Sequence, residues 1–194
     1  MASNHAPESS VRVELAAPSL ERLPQYAAAL ERGWSPNNLR DVSAEQLAAV
    51  RANPEKFVAD VNPRSGGTIT LNDGRVVPRL PGEVFWIWDG AFCGSISFRH
   101  VPGTEELPPH VAGHIGYAIV PWKRRRGYAT RALALLLPIV RAHGLKRAQI
   151  TCDDDNLASC RVIEANGGVL AERQPESDDP ARIKRIYWVD TGAG

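Results

Sequence analysis

The sequence is poor in cysteine, and its cysteines show no pattern of a structural framework. Three are present among 194 residues, and Cys93, Cys152 and Cys160 lack the repeated spacing that disulfide scaffolds or zinc sites show. Cys93 and Cys152 fall in predicted strands, and Cys160 falls in a predicted helix. We therefore expect a protein of a reducing compartment, the cytoplasm, with no metal site.

Long hydrophobic runs are also absent. No apolar stretch is long enough to cross a bilayer, and the N-terminus lacks the basic start and apolar run of a secretory signal. We expect no membrane association, a disordered segment over residues 1–12, and a single domain over residues 13–194. A chain of this length can bury about 70% of its unfolded surface in one core.

Net charge is nearly absent, because 23 Lys and Arg residues face 22 Asp and Glu residues. The whole-chain field therefore offers no general attraction to nucleic acid, which we do not expect as a partner. Charge is concentrated only locally, in the basic run 123–126 and the acidic run 153–155. These two runs are where charge is expected to matter.

The hydrophobic periodicity predicts helices, a hairpin, and then strand, helix, strand, helix, strand. The predicted helices cover residues 23–32, 43–53, 54–61, 128–143 and 156–165, and the predicted strands cover 84–88, 91–99, 113–120, 148–152 and 183–189. Between residues 62 and 82, Pro, Gly, Asn and Asp predict a loop or a weak hairpin that turns at Asn72-Asp73-Gly74. Pro138 predicts a kink near Ala134 or a break in its helix.

The most informative segment runs from Ile119 to Thr130 and reads IVPWKRRRGYAT. It predicts a strand that stops at Pro121, a basic turn, and the start of a helix. The first N–H groups of a helix lack internal partners and lie at the positive end of its dipole, so a diphosphate there is bound largely by main chain. Gly127 lets phosphates approach closely, and Ala129 keeps the next turn small. The alternative for such a basic run is a solvated turn.

The surroundings of this segment strengthen the interpretation. Arg124 to Ala129 fits the pattern of Gln or Arg, two residues, Gly, one residue, then Gly or Ala. Downstream come a short strand, Ile150-Thr151-Cys152, and a helix that Asn156 and Ser159 open and Asn166-Gly167-Gly168 closes. On these motifs, and on His114-Ile115-Gly116-Tyr117, the second half of the chain resembles the GNAT superfamily of acetyltransferases, in a bacterial branch of predicted acetyltransferases.

The resemblance implies an α/β (α+β) fold: a mixed, mostly antiparallel sheet, flanked by helices and splayed at the acetyl-CoA site between the strands that end at Val120 and Cys152. It implies acetyl-CoA as the acyl donor and an unidentified amine of a small molecule or peptide as the acceptor, with homodimerisation left open. The implied cofactor-binding residues are the main chain of Ile119 and Val120 for pantetheine, Asn156 and Ser159 along the arm, and Arg124, Arg125, Arg126, Gly127, Tyr128, Ala129 and Thr130 for the diphosphate.

Direct transfer to an amine requires a base, an oxyanion donor and, in some cases, an acid for the departing thiolate. Many family members place a Tyr seven residues after the helix-opening Asn as that acid, but here the position is Ile163. Tyr117 and Ser159 are the remaining candidates for the acid, besides water. His114 is a candidate base, and the alternative is a hydrogen-bonded core histidine.

Several other residues have competing interpretations. Asp153 is expected to attract a cationic amine, and Asp155 to cap the helix that follows it. Trp86 and Trp88 are expected in a packed sheet face, the alternative being an aromatic wall for the acceptor, and Cys152 is expected as a small buried hydrophobe. For the whole chain, the competing functions are a non-catalytic acyl-CoA-binding sensor, which the absent Tyr favours, and a nucleic-acid-binding module acting through the basic turn.

Overall fold

The structure of the protein is a computed structural model. It describes residues 12–38, 40–61, 66–71, 74–176, 179 and 181–192. The disordered segment predicted at the N-terminus, apart from Arg12, lies outside the described residues, as do Asn72 and Asp73 of the predicted turn. Among the described residues, no helix combines the length and the apolar character that a membrane span needs.

Five α-helices and nine strands make up the described part of the fold. The helices are α1 (Leu23–Glu31), α2 (Ser43–Ala52), α3 (Pro54–Val61), α4 (Tyr128–Ala142) and α5 (Leu157–Glu164). The strands are β1 (Glu14–Ala16), β2 (Thr68–Thr70), β3 (Val76–Pro78), β4 (Gly82–Trp88), β5 (Phe92–Arg99), β6 (Ile115–Ile119), β7 (Arg147–Asp153), β8 (Val169–Pro175) and β9 (Ile183–Asp190). The predicted fold class is confirmed.

The longer strands form two antiparallel sheets whose edges meet at one end. The first sheet has the order β1-β4-β5-β6 and the second the order β7-β9-β8, while β2 and β3 form the weak hairpin that the sequence predicts. An isolated bridge between Gly113 and Ile150 joins the edges of β6 and β7, and the His114 N–H donates to the Gln149 carbonyl at 2.7 Å. Beyond this junction the two strands have no ladder, which is the predicted splay.

Two strands have no counterpart in the sequence prediction. β1 contains three residues, and every residue of β8 is exposed. A strand with no buried face has no alternation of apolar and polar residues, so the period-two signal is missing. β8 exists because it pairs along its length with β9.

Two hydrophobic clusters cover the opposite faces of the first sheet. One lies under α4 and α5 and continues into the second sheet, with Ile96, Phe98, Leu133, Leu136 and Ile163 among its members. The other packs α1 against the sheet, where Trp86 is fully buried and stacks on Tyr26 with ring centroids 4.9 Å apart. The expectation that Trp86 is a core residue is confirmed.

Helix α4 is continuous through Pro138, so the predicted break is wrong. The proline lies on the exposed side of the helix, as does Ala134, whose carbonyl loses its usual donor. Water can satisfy that carbonyl, which lowers the cost of an interior proline. Six residues of the opposite side are buried and hold the helix on the core.

Candidate active site

The outer edge of β6 presents main-chain groups to the gap between the two sheets. The Val120 N–H donates to the Cys93 carbonyl of β5 at 3.0 Å, and strand alternation then turns the main chain of Tyr117 and Ile119 away from β5. Side chains occupy both carbonyls: the Asn38 amide donates to the Tyr117 oxygen at 3.0 Å, and Arg124 Nε donates to the Ile119 oxygen at 3.1 Å. Such an edge can pair with an extended amide-containing ligand.

The basic turn leads from this edge into the N-terminus of α4. Arg125 has φ 61° and Gly127 has φ 77°, so the left-handed conformation occurs twice within three residues. Turns of this kind aim successive N–H groups at a common point and form anion-binding concavities. Gly127 precedes α4 with no side-chain cap, and within the described chain nothing lies within 4 Å of where its Cβ would be. Arg124, Arg125 and Arg126 are exposed around it.

A partly buried cluster anchors this turn to the hairpin between β4 and β5. Lys123 Nζ lies 2.6 Å from Asp89 Oδ1, the Tyr128 hydroxyl donates to Asp89 Oδ2, and the Ala91 N–H donates to Asp89 at 3.1 Å. Burial acts to raise the pKa of Asp89, but these hydrogen bonds and the Lys123 charge outweigh it and lower the pKa to about 2. The carboxylate is therefore ionised and holds the turn from two sides.

Two hydroxyls close the gap between β6 and α5. The Tyr117 hydroxyl lies 2.7 Å from Ser159 Oγ, so either can donate to the other. Burial raises the pKa of Tyr117 above its usual range. The phenol is therefore protonated at neutral pH and is available as a proton donor rather than as a base.

The start of α5 differs in detail from the prediction. Asn156 is the N-cap, and its Oδ1 accepts the Ser159 N–H at 3.1 Å, so the expectation that Asp155 caps this helix is wrong. Ile163 is fully buried in the core and lies against Gly168, where an added Cβ would be only 2.3 Å from an Ile163 methyl. The position of the usual Tyr therefore points into the core.

His114 lies at the junction of the two sheets and has no exposed surface. Its Nδ1 accepts the Gln149 N–H at 2.9 Å, so the neutral ring carries its proton on Nε2. Burial is the largest cause that lowers its pKa to about 4; the Glu105 charge opposes this shift, and the Arg99 and His100 charges add to it. This placement favours the structural alternative for His114 over the base.

Two carboxylates of the acidic run at the end of β7 are already paired with cations. Asp153 pairs with Lys184 and, at 3.2 Å, with Arg182, while Asp154 pairs with Arg185 at 2.8 Å and Arg173 at 3.0 Å. The expectation that Asp153 attracts a cationic amine is therefore wrong, because cross-strand cations from β9 and its flanks satisfy that carboxylate. This network joins β7 to β8 and β9.

Cys152 is buried, with its Sγ 3.6 Å from that of Cys160. Burial raises the pKa of Cys152 to about 12. The expectation of a small buried hydrophobe is confirmed, because a thiol with this pKa supplies almost no thiolate at neutral pH.

Three residues of the site region were not singled out from the sequence as site residues. Asn38 and Asp89 act through contacts with residues far away in the chain, and Arg99 of β5 lies beside β6. No local pattern marks these residues, because their partners are contributed by other elements.

Comparison with known proteins identifies the family. Residues 36–169 match the model of the acetyltransferase (GNAT) domain, whereas no curated protein matches the chain. An acetyl transferase from Salmonella typhimurium that modifies the N-terminal serine of ribosomal protein L7/L12 is 18% identical, with a TM-score of 0.61, 93% of this chain and 96% of that chain being covered.

A second similar structure is the microcin C7 self-immunity acetyltransferase MccE in complex with acetyl-CoA and AMP, at 15% identity and a TM-score of 0.57, with 92% of each chain covered. At these identities the two structures establish the fold alone. The family model covers more than half of the chain, and together with the splayed sheets and the turn before α4 it leads to one conclusion. The chain belongs to the GNAT acetyltransferase family, whose acyl donor is acetyl-CoA.

Proposed function

We propose that this protein transfers the acetyl group of acetyl-CoA directly to a primary amine of a small molecule or peptide, within a ternary complex. The single observation that carries the proposal is the pair of hydroxyls, Tyr117 and Ser159, that spans the gap between β6 and α5. It places a protonated donor beside the strand edge along which the thioester would lie. A surface that only binds CoA has no need of such a donor.

The residues around the gap fit acetyl-CoA. The main chain of Tyr117 and Ile119 can bond the amides of pantetheine once Asn38 and Arg124 release the carbonyls. Arg124, freed in this way, adds its charge to that of Arg125 and Arg126 at the turn before α4. The uncapped N–H groups after Gly127 face the same point and suit a diphosphate.

In the reaction, the amine nitrogen bonds to the thioester carbon, the carbon–sulfur bond breaks, and water takes the proton that the amine loses. The leaving thiolate takes a proton from Tyr117, the Ser159 hydroxyl hydrogen-bonds to the phenolate that remains, and water returns a proton to Tyr117. The raised pKa of Tyr117 keeps the phenol protonated at neutral pH, so that its O–H can hydrogen-bond to the sulfur as negative charge develops there. In this assignment His114 is a positioning residue at the sheet junction rather than the base.

The acceptor is sought among two classes of amine. The similar acetyl transferase from Salmonella typhimurium modifies a protein N-terminus, so peptide N-termini are one class to test. Small primary amines are the other. The polar depression beside the cofactor edge, about 380 Å³ and lined by residues that include Trp34, Asn38, Asp41 and Arg124, offers room for either.

The test measures release of free CoA thiol from acetyl-CoA with a panel of peptides and small amines, and mass spectrometry identifies the acetylated product. We expect amine-dependent release that Tyr117→Phe slows without weakening acetyl-CoA binding. Tight acetyl-CoA binding with no amine-dependent release would overturn the proposal in favour of an acyl-CoA-binding sensor.

A further inference from the structure

Arg99, at the end of β5, carries a charge that no carboxylate of the described residues neutralises. Within the described part of the chain its guanidinium forms no ion pair, and its hydrogen bond is a long one of 3.4 Å to Ser97 Oγ. The side chain is half-buried, and this burial lowers its pKa. Cations that lose part of their hydration are normally paired, because that loss is costly. An unpaired one therefore calls for an explanation.

The guanidinium lies over the backbone of β6. Ser97 is paired with Gly116, and a Cβ built on Gly116 would be 3.3 Å from Arg99 Nη2. The missing side chain of Gly116 thus makes room for the guanidinium. Gly116 directly precedes Tyr117, so the charge lies one residue from the strand edge assigned to acetyl-CoA.

A second unsatisfied donor lies nearby. His114 Nε2 is buried and has no hydrogen-bond partner among the described residues, and it carries the ring proton because Nδ1 accepts the Gln149 N–H. The His114 carbonyl accepts the Arg99 N–H at 2.9 Å, so the two residues are direct neighbours at one end of the β5–β6 pair. Of their two donor groups only the Arg99 guanidinium is accessible, because His114 is fully buried, so an anion would bind at Arg99.

Glu105, the carboxylate expected to pair with Arg99 and His114, already forms other hydrogen bonds. Glu105 interacts with His114 electrostatically, but its Oε1 accepts the N–H groups of Lys146 and Arg147 at 3.1 Å, and its Oε2 accepts Arg147 Nε at 2.8 Å. These contacts hold Glu105 at the start of β7. Glu105 is therefore not available to Arg99, whose guanidinium remains able to bind an added carboxylate.

The geometry points to an acceptor molecule that carries a carboxylate besides its primary amine, with Arg99 binding the carboxylate. The inference rests on the proposed amine acetyltransferase function and names its substrate class. Holding the carboxylate over Gly116 directs the amine of a short amino acid towards the thioester beside Tyr117. A planar guanidinium suits a carboxylate, since it can donate two parallel hydrogen bonds.

The first experiment compares glycine, β-alanine and γ-aminobutyrate as acceptors with methylamine, ethylamine and propylamine, their decarboxylated counterparts. We expect kcat/KM for at least one amino acid to exceed that of its counterpart by about tenfold or more. The chain length of the best amino acid substrate indicates the spacing between Arg99 and the thioester carbon. Equal use of the amino acids and of the alkylamines that lack a carboxylate would overturn the carboxylate assignment while leaving the acetyltransferase function intact.

The second experiment measures binding without turnover. Calorimetry follows the N-acetyl derivatives of the same six amines binding to the CoA-saturated protein, in wild type, Arg99→Gln and the exposed-arginine control Arg51→Gln. We expect about tenfold or tighter binding of a carboxylate product than of its neutral counterpart, a preference lost in Arg99→Gln and retained in Arg51→Gln.

Arg99→Gln is expected to fold, because removing an unpaired guanidinium leaves no carboxylate without a partner. Absence of the preference in the wild type, or its persistence in a folded Arg99→Gln protein, would overturn the inference. Preferential binding of the carboxylate together with no acetylation of any amine would support the site and refute the transfer reaction, so the two failures are distinguishable.

Discussion

The hydroxyl of Tyr117 on β6 lies 2.7 Å from that of Ser159 on α5, across the gap between the two sheets. Neither strand pairing nor helix packing requires this contact. Ile163, by contrast, is buried in the core and carries no polar group. Under the proposed function, the hydrogen-bonded pair is the source of the proton for the departing thiolate.

Removing either hydroxyl should slow the transfer. Tyr117→Phe and Ser159→Ala are each expected to lower kcat by about tenfold to a hundredfold while the dissociation constant of acetyl-CoA stays within about threefold. Because the two hydroxyls act as one unit, the double variant should lose less than the product of the single losses. A raised dissociation constant with unchanged kcat would show instead that the pair only shapes the binding site.

The turn before α4 predicts a specific sensitivity at Gly127. Gly127→Glu places a side chain and a negative charge where the diphosphate is expected, and we expect it to abolish CoA binding in calorimetry. The matched control is Gly127→Asn, which adds a side chain of similar shape without the charge and tolerates φ 77°. The Asn variant should retain measurable binding. A folded Glu variant with unchanged affinity would place the diphosphate elsewhere.

Asp89 should control both the stability of the turn and its affinity for CoA. Asp89→Asn breaks the ion pair with Lys123 and should lower the free energy of unfolding by about 2–3 kcal/mol at neutral pH, measured in urea. It should also weaken CoA binding several-fold, because the turn loses its anchor. Arg40→Gln, which breaks the exposed pair with Glu45, serves as the control and should change stability by less than about 1 kcal/mol. Unchanged CoA affinity in Asp89→Asn would show that the turn holds its shape unaided.

His114 should make stability depend on pH in a defined direction. Its pKa falls from 6.5 to about 4 on folding, so the unfolded chain binds the proton more readily. The resulting stabilisation, about 3 kcal/mol, is present above pH 6.5 and is lost as the pH falls towards 4. His114→Asn keeps an acceptor for the Gln149 N–H but cannot titrate, so its unfolding free energy should lack this component.

Kinetics distinguish that structural role from base catalysis. If His114 only positions the sheet junction, the acetylation rate of a folded His114→Asn protein should fall less than about tenfold. The pH profile of that rate should keep its acidic limb. A loss of about a hundredfold or more, with disappearance of that limb and unchanged CoA affinity, would make His114 the general base after all.

The sequence alone determined the elements and the motif that depend on local order. Strand, basic turn and helix follow one another within residues 119–130, so the motif and the helix it opens were predictable, as was the apolar side of α4. The same holds for the central hairpin of β4 and β5, whose apolar runs flank a turn. In each case the interacting residues are neighbours in the chain, so the hydrophobic periodicity is enough to predict the element.

Only the tertiary structure decided which side chains meet and which way each of them faces. The sequence suggested that Asp153 attracts a cationic amine, but cations on and beside β9 neutralise Asp153. It also made His114 a candidate for proton transfer, but His114 is buried at the sheet junction. It had no signal for the anchor at Asp89 or the unpaired charge of Arg99, since Lys123 and Gly116 come from other elements. Burial and pairing set the charge state of a side chain, and both depend on residues that are distant in the chain.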